Sequence, residues 1–361
     1  MLAWSAQYTP GMKARLDELL KTDWPMAKID DEMERLQAEE LIGGVSDIER
    51  EWMNIGGIDV QQVTVGHPMS PTAFEDAVAG MALWQRKLDC LDYLVKATRY
   101  EHVERAKAEG KRAIILGFQD SDHFGTDLDR IQIFYDMGMR LVQLTYNLRN
   151  FVGDGWGERV DGGLSRFGVK VLKRLNELGI LVDLSHCGHR TTMDAIELSS
   201  SAPIVTHSFA RGLWDNPRGS SDEEIEGIGA RNGFFGVLMT PIQLTGISKG
   251  ESRTKCTIDD ILDHVDYVAR MIGADKVGFG SDYNGEKVPA LLPRVLGRLN
   301  DRGWEAGGYR PTFEALAVEG FADIREWPNV TSGLVARGYS DEEIKGILGG
   351  NFLRIFEEVC G

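Results

Sequence analysis

Three short apolar segments of the chain each end at a side chain that could bind a metal ion. Residues 181–184 lead into His186, residues 203–206 lead into His207, and residues 277–280 lead into Asp282. Apolar runs of this length, bounded by Gly, Pro or a helical pattern, are typical of strands covered on both faces. In a parallel barrel the carboxyl ends of all strands open onto one face, so these three side chains are expected to converge. Two imidazoles and a carboxylate suit a zinc-type ion that keeps one position open for water.

The elements that must position these residues follow an alternating pattern. The sequence predicts helices at 73–97, 167–178 and 258–272, a late helix opened by the capping-box residues 340–343, and strands at 58–65, 113–117, 140–145, 180–184, 204–206, 233–239 and 276–280. Strands joined by helical crossovers predict an α/β fold of the (β/α)8 TIM-barrel type. The eighth strand would be the first, with residues 1–8 as the candidate. We expect a single barrel domain over residues 1–361, a helical insertion near 10–55 and a C-terminal helical segment near 340–361.

Composition narrows the classes of partner. A net charge of −16 over 361 residues argues against nucleic acid and anionic membranes, which both need a basic face. No long uncharged apolar stretch is present, and the first residues lack the pattern of a signal peptide. The four cysteines are scattered, without a CxxC pair. We therefore expect a cytoplasmic protein with a small-molecule substrate.

Longer strings around the strand ends resemble the membrane (renal) dipeptidase family, whose members are zinc peptidases with a (β/α)8 fold that hydrolyse dipeptides. The strings are residues 163–168, 179–186, 202–208, 216–218 followed by 221–224, 277–282 and 350–356. They occur in the family's order, and the resemblance runs from about residue 58 to residue 356. It also suggests a homodimer.

The resemblance implies roles for four residues. His186 and His207 match the two histidines that hold one zinc of a two-zinc site. Asp282 matches an aspartate that contacts the nucleophile. Arg218 matches an arginine associated with the substrate carboxylate, which a planar guanidinium can bind through two parallel hydrogen bonds.

The chain also departs from the family pattern. It has no histidine before His67, whereas the family opens with a His-x-Asp pair that binds the other zinc. Gln119 stands where a carboxylate should bridge two ions, and a neutral amide cannot bridge two cations as an anion does. Tyr146 replaces a further histidine, and it could donate a hydrogen bond to a developing oxyanion. These departures predict one divalent ion, most simply zinc, rather than two.

The resulting hypothesis is a metal-dependent hydrolase of dipeptides or similar small amide-bearing acids. Its predicted metal ligands are His186, His207, Gln119 and Asp282. Asp282 and Tyr146 are the predicted catalytic residues, and Arg218 and Tyr146 the predicted substrate-binding residues.

Alternative interpretations stay open for the protein and for single residues. The protein could be a non-catalytic small-molecule binder, or a hydrolase of a non-peptide amino-acid derivative. The two histidines could be structural, Asp282 could cap a helix, and Arg218 could pair with the acidic residues at 222–224. His123 could serve as a replacement ligand.

Overall fold

The computed structural model describes residues 3–4, 8–240, 256–284 and 318–361. Its strands are β1 (Ala3–Trp4), β2 (Val60–Thr64), β3 (Leu94–Lys96), β4 (Arg112–Phe118), β5 (Met139–Gln143), β6 (Leu181–Asp183), β7 (Ile204–Ser208), β8 (Phe234–Leu238), β9 (Cys256–Thr257), β10 (Val277–Gly280), β11 (Tyr283–Asn284) and β12 (Val318–Glu319). All seven strands predicted from the sequence are present, with ends that differ by a few residues.

The helices alternate with these strands along most of the chain. They are α1 (Pro10–Leu19), α2 (Met26–Ile42), α3 (Ile48–Gly56), α4 (Ala73–Cys90), α5 (Tyr100–Ala108), α6 (Asp129–Met137), α7 (Arg166–Leu178), α8 (His189–Leu198), α9 (Asp222–Ala230), α10 (Ile258–Ile272), α11 (Trp327–Ala336), α12 (Asp341–Lys345) and α13 (Asn351–Cys360). A π-helical turn, Gly346–Gly350, joins the last two. None of the helices in the described ranges is long and apolar enough to cross a bilayer.

The main sheet is parallel throughout, in the order β10-β8-β7-β6-β5-β4-β2, with β3 beside the start of β4. β1 lies inside the range 1–8 and pairs in parallel with β11, which directly follows β10. The first strand therefore lies beside the segment that follows β10, the last strand of the main sheet, as closure of a barrel requires. The predicted α/β fold of the TIM-barrel type is confirmed.

One predicted element is wrong. The helical pattern at 73–97 is interrupted, because α4 ends at Cys90 and residues 94–96 form β3. Leu91 already has an extended backbone, and it is buried together with Tyr93 and Leu94. An apolar run this short does not distinguish the last turn of a helix from a buried strand.

Helices α1, α2 and α3 lie in the region near 10–55, and α12 and α13 lie in the region near 340–361. Helices α1 and α2 form a small core of their own, made of Met12, Leu16, Leu19, Ile29 and Met33. That residues 1–361 form a single domain stays a prediction.

Alternate residues of the strands belong to two separate apolar clusters. Leu141, Leu181, Ile204 and Phe234 pack with Phe352 of α13, so the last helix covers the amino-terminal ends of the strands. Their neighbours along the chain belong to the larger core, which includes residues of the surrounding helices. Side chains two positions further along a strand share the same face. The inner face therefore turns polar above this apolar layer, at Gln143, Asp183 and Thr206.

Candidate active site

His186 and His207 meet at the carboxyl ends of β6 and β7. Their Nε2 atoms lie 2.8 Å apart, and both side chains are buried. Two of the three side chains predicted to converge, His186 and His207, are therefore in contact in the structure.

The other ring nitrogen of His186 is held by the loop after β5. Its Nδ1 lies 2.6 Å from Asn147 Oδ1, which also accepts a 2.6 Å hydrogen bond from the indole nitrogen of Trp156. An amide oxygen can only accept, so His186 Nδ1 carries the hydrogen.

The other ring nitrogen of His207 is held by a polar network inside the sheet. Thr206 Oγ1 donates to Asp183 Oδ2 at 2.6 Å and lies 2.7 Å from His207 Nδ1. Ser185 donates to Asp183 Oδ1 through both its hydroxyl and its amide, and the amide of Thr206 donates to the same oxygen. Burial raises the pKa of Asp183, and these hydrogen bonds act against that by favouring the carboxylate. With the carboxylate ionised, the Thr206 hydroxyl donates its one hydrogen to Asp183, so it can only accept a hydrogen bond from His207 Nδ1.

Each neutral imidazole thus has its hydrogen on Nδ1 and a lone pair on Nε2. Burial holds the pKa of both histidines well below the usual range, and the positive charge of Arg218 adds to this effect. Two nitrogen lone pairs at 2.8 Å repel each other unless a cation lies between or beside them. Metal-binding histidines characteristically donate their second nitrogen to an oxygen acceptor, and both histidines do so here. The donor set therefore fits one divalent ion.

Arg218 lies beside the histidine pair. The buried guanidinium of Arg218 donates from Nη2 to the backbone oxygen of His207 at 2.8 Å. Asp282 follows β10 and is half-buried. Burial raises the pKa of Asp282 to about 6, and the nearby Arg218 acts in the opposite direction. The structure thus brings His186, His207 and Arg218 to one place, and Asp282 is close enough to Arg218 for the charge of the guanidinium to affect its pKa.

Close packing of Gly280 in β10 against β7 helps to set the position of His207. The register of β7 on β8 shifts between Val205 and Ser208, where His207 lies. A Cβ on Gly280 would overlap the backbone oxygen of Thr206 and lie 2.7 Å from His207 Cβ. Glycine therefore lets β10 approach the bulge that presents His207.

Tyr146 and Gln119 follow β5 and β4, which lie on the other side of β6 and β7 from β8 and β10. The ring of Tyr146 stacks on His186, with centroids 4.3 Å apart and an interplanar angle of 20°. Gln119 follows β4, is half-buried, and accepts a 2.6 Å hydrogen bond on its backbone oxygen from the Gln143 amide. The stacking makes Tyr146 a support of the imidazole, and its predicted catalytic and substrate-binding roles stay predictions.

Neutral groups line this side of the interior. The amide oxygens of Gln62 and Gln143 and the hydroxyl of Thr64 are buried without a hydrogen-bond partner among the described residues. The Gln62 amide lies over Gly117 of β4, close to where a Cβ would be. Amide and hydroxyl oxygens carry no formal charge, so these three described side chains are not the anionic ligands that a second dication favours.

The other candidate ligands do not surround the histidine pair in the described structure. In the described ranges, no group of three or more His, Cys, Asp or Glu side chains is placed to hold a metal ion. Asp282 therefore does not complete a ligand shell with the histidines in this conformation, and the four-residue ligand set stays a prediction. His123 is fully buried and its Nδ1 lies 2.9 Å from the backbone oxygen of Ala73. His189, which was not predicted as a ligand, pairs with Glu224 and Glu223 on α9.

Comparison with known proteins settles the family. The family model for membrane dipeptidases, peptidase family M19, matches residues 25–308 and 308–360. The chain belongs to the membrane dipeptidase family. This is a family of metallopeptidases that are zinc-dependent in general.

Similar proteins agree with this assignment. Dipeptidase tcpJ of Claviceps purpurea is 27% identical over 338 residues, which are 90% of this chain and 72% of that protein. An uncharacterized dipeptidase of Schizosaccharomyces pombe is 29% identical over 276 residues, 75% of this chain and 57% of that protein. The crystal structure of an amidohydrolase from Pseudomonas aeruginosa superimposes with a TM-score of 0.74 at 29% identity, covering 86% of this chain and 92% of that chain.

The sequence did not reveal the residues that orient the histidines. Asn147 and Trp156 belong to an irregular loop, and Asp183 and Thr206 looked like ordinary members of apolar strands. One signal was available, because Asp183 and Thr206 are polar residues inside runs that are otherwise apolar. A polar residue at an inward strand position must find a partner, and here each finds the other.

Proposed function

We propose that the protein is a hydrolase of dipeptides or similar small amide-bearing acids that uses one bound divalent ion, zinc, rather than two. The observation that carries the proposal is the pair of buried imidazoles, His186 and His207, each with Nδ1 held by an oxygen and Nε2 facing the other. Membership of a metallopeptidase family supports it.

His186 and His207 would hold the ion, with Asp282 or Gln119 as further ligands. The neutral lining formed by Gln62, Thr64 and Gln143 supports a single ion, because it supplies no carboxylate to a second one. When bound, the ion would supply Lewis acidity to the amide and to a water molecule.

The side chains around the pair would bind the substrate and move the proton. Arg218 is the group that would bind a terminal carboxylate and so fix the scissile amide beside the histidines. Asp282 would accept a proton from the attacking water and pass it to the leaving amine. Its raised pKa, about 6, suits a group that must both take up and release a proton near neutral pH.

The proposal is tested by metal content and turnover together. The purified protein is stripped with a chelator, titrated with zinc, and assayed against a panel of dipeptides. We expect about one zinc per chain and hydrolysis that chelator abolishes, both lost in His207→Ala. His102→Ala is the matched control, because His102 lies on α5 away from the site and, within the described part of the chain, its ring bonds to Thr98 four residues before it.

Every other outcome of this experiment contradicts all or part of the proposed function. No bound zinc after the titration refutes the proposal. Ligand binding without turnover, detected as a thermal shift, would identify a non-catalytic binder. Bound zinc with no activity on any dipeptide would point to an amino-acid derivative as substrate. Two zinc ions per chain would refute the mononuclear site.

A further inference from the structure

We propose that Asn147 and Trp156 are positioning residues that form a clamp around His186, locking it in the tautomer protonated on Nδ1. Nothing in the family pattern quoted above assigns these two residues a role. The consequence for zinc rests on the proposed function, whereas the tautomer itself does not.

The hydrogen-bond chemistry of the clamp has a single solution. An indole nitrogen can only donate, so the atom of Asn147 that faces Trp156 must be the amide oxygen. The same oxygen lies 2.6 Å from His186 Nδ1. That nitrogen must therefore donate, and the neutral ring keeps its lone pair on Nε2, the atom that faces His207.

The loop that carries the clamp is tied to His186 along its backbone as well. The amide of Trp156 donates to the backbone oxygen of His186 at 3.1 Å, and the amide of Gly157 donates to that of Asn147 at 2.7 Å. Gly155 forms an isolated bridge with Cys187 and has no room for a Cβ against the Asn147 carbonyl. The loop and the turn after β6 thus hold each other at several points.

Backbone conformation singles out Asn147 further. It is fully buried and has a φ of 58°, in the left-handed region that asparagine tolerates better than most residues. The position of its side-chain amide is therefore set by the left-handed backbone and by the hydrogen bonds with Trp156 and His186. Tyr146, the preceding residue, covers the face of the same imidazole.

The clamp decides which nitrogen a metal ion can use. The protonation of one histidine nitrogen is set by the hydrogen bond that the other makes. Partners of metal-binding histidines that act in this way typically contribute roughly 10–100-fold to metal affinity. We expect a loss of that size when the acceptor is removed.

The first measurement is the tautomer, read from long-range ¹H–¹⁵N correlation spectra of the full chain without metal. We expect His186 to be protonated on Nδ1 in the wild type. Asn147→Gly removes the acceptor but keeps the backbone conformation that this position needs, so the tautomer should become mixed. Asn147→Asp retains an acceptor oxygen and should restore the Nδ1–H form.

The second measurement is zinc affinity, by competition with a chromophoric chelator. Asn147→Gly should bind zinc roughly 10–100-fold more weakly, Trp156→Phe several-fold more weakly, and Asn147→Asp about as well as the wild type. Trp327→Phe is the matched control, because Trp327 is also buried but its indole N–H has no hydrogen-bond partner among the described residues. It should leave zinc affinity and the tautomer unchanged.

Two results would overturn the inference. One is a wild-type His186 protonated on Nε2. The other is an Asn147→Gly protein that folds and keeps His186 fully protonated on Nδ1. If its tautomer is mixed but it binds zinc as tightly as the wild type, the expected consequence for zinc is wrong. If Asn147→Gly does not fold, Trp156→Phe against Trp327→Phe still decides, because both retain a ring of similar size. If the protein binds no zinc at all, the proposed function fails while the tautomer measurement still tests the clamp.

Discussion

Replacing Thr206 with valine should destabilise the protein far more than the similar size of the two side chains suggests. Thr206 is nearly buried, and its hydroxyl joins the carboxylate of Asp183 to Nδ1 of His207. Valine has almost the same shape, so it fills the space without opening a cavity. The expected effect therefore isolates the hydroxyl.

The size of the effect follows from the groups that lose a partner. In Thr206→Val, Asp183 Oδ2 loses its 2.6 Å hydrogen bond and His207 Nδ1–H loses its acceptor. Ser185 is not affected in this way, because its hydroxyl still donates to Asp183 Oδ1 and accepts from the amide of His207. Each buried group without a partner costs about 1–3 kcal/mol, so the total should be roughly 2–6 kcal/mol.

The assay is urea unfolding of the metal-free protein at pH 7, followed by circular dichroism. Thr206→Ser is the matched control, because it keeps the hydroxyl and loses one methyl group, worth about 1 kcal/mol. Zinc affinity should follow the same order, since only the valine variant leaves the His207 ring unoriented. If the two variants are equally stable, the Thr206 hydroxyl does not hold this network and the argument for the His207 tautomer fails with it.

Three further predictions concern other parts of the molecule, all read by urea unfolding. Burial raises the pKa of Glu34 from 4.5 to about 7, so the native state binds an extra proton between those values and stability should fall as pH rises through them. Glu34→Gln should remove that fall, and equal pH profiles would contradict it. Lys87→Met removes the ammonium group that lies 3.0 Å from the buried Glu49 carboxylate, and it should cost about 3–5 kcal/mol. An added Glu49→Gln should recover most of this loss, and no recovery would mean that lost packing dominates. Gly280→Ala should cost about 1–3 kcal/mol and weaken zinc binding, because its Cβ would press on His207; wild-type zinc affinity would show that β7 has room to move.

The strands of the sheet could be predicted from the sequence because strands and helices have different patterns of apolar residues. Buried parallel strands appear as short continuous apolar runs, and the helices between them repeat every three to four residues. The pattern fails where a run is too short to show either period. Residues 94–96 are such a case, and there the pairing with β4 decides the structure rather than local sequence.

The site could be predicted only in part, for a geometric reason. His186 and His207 follow neighbouring parallel strands, and the carboxyl ends of such strands share one edge, so their meeting followed from topology. The orientation of their rings did not, because it depends on loops whose path has no period. Asn147 is 39 positions from His186 along the chain, and their contact depends on how the loop after β5 folds back.

Backbone strain gives an independent reason to place the function at this end of the sheet. Five non-glycine residues in the described ranges have left-handed φ values, and three of them are Asn147 at 58°, His186 at 62° and Asp282 at 45°. A left-handed conformation costs a residue with a side chain roughly 1–2 kcal/mol, and glycine would avoid most of that. If these positions served only to turn the chain after a strand, glycine would be the more stable choice at each. The chain instead has an amide, an imidazole and a carboxylate at these positions. Strain of this kind persists where neighbouring contacts over-determine it, and the contacts of His186 with Asn147 and Tyr146 are of that kind. The turns are therefore better explained by the chemistry of the side chains that they carry than by the stability of the fold.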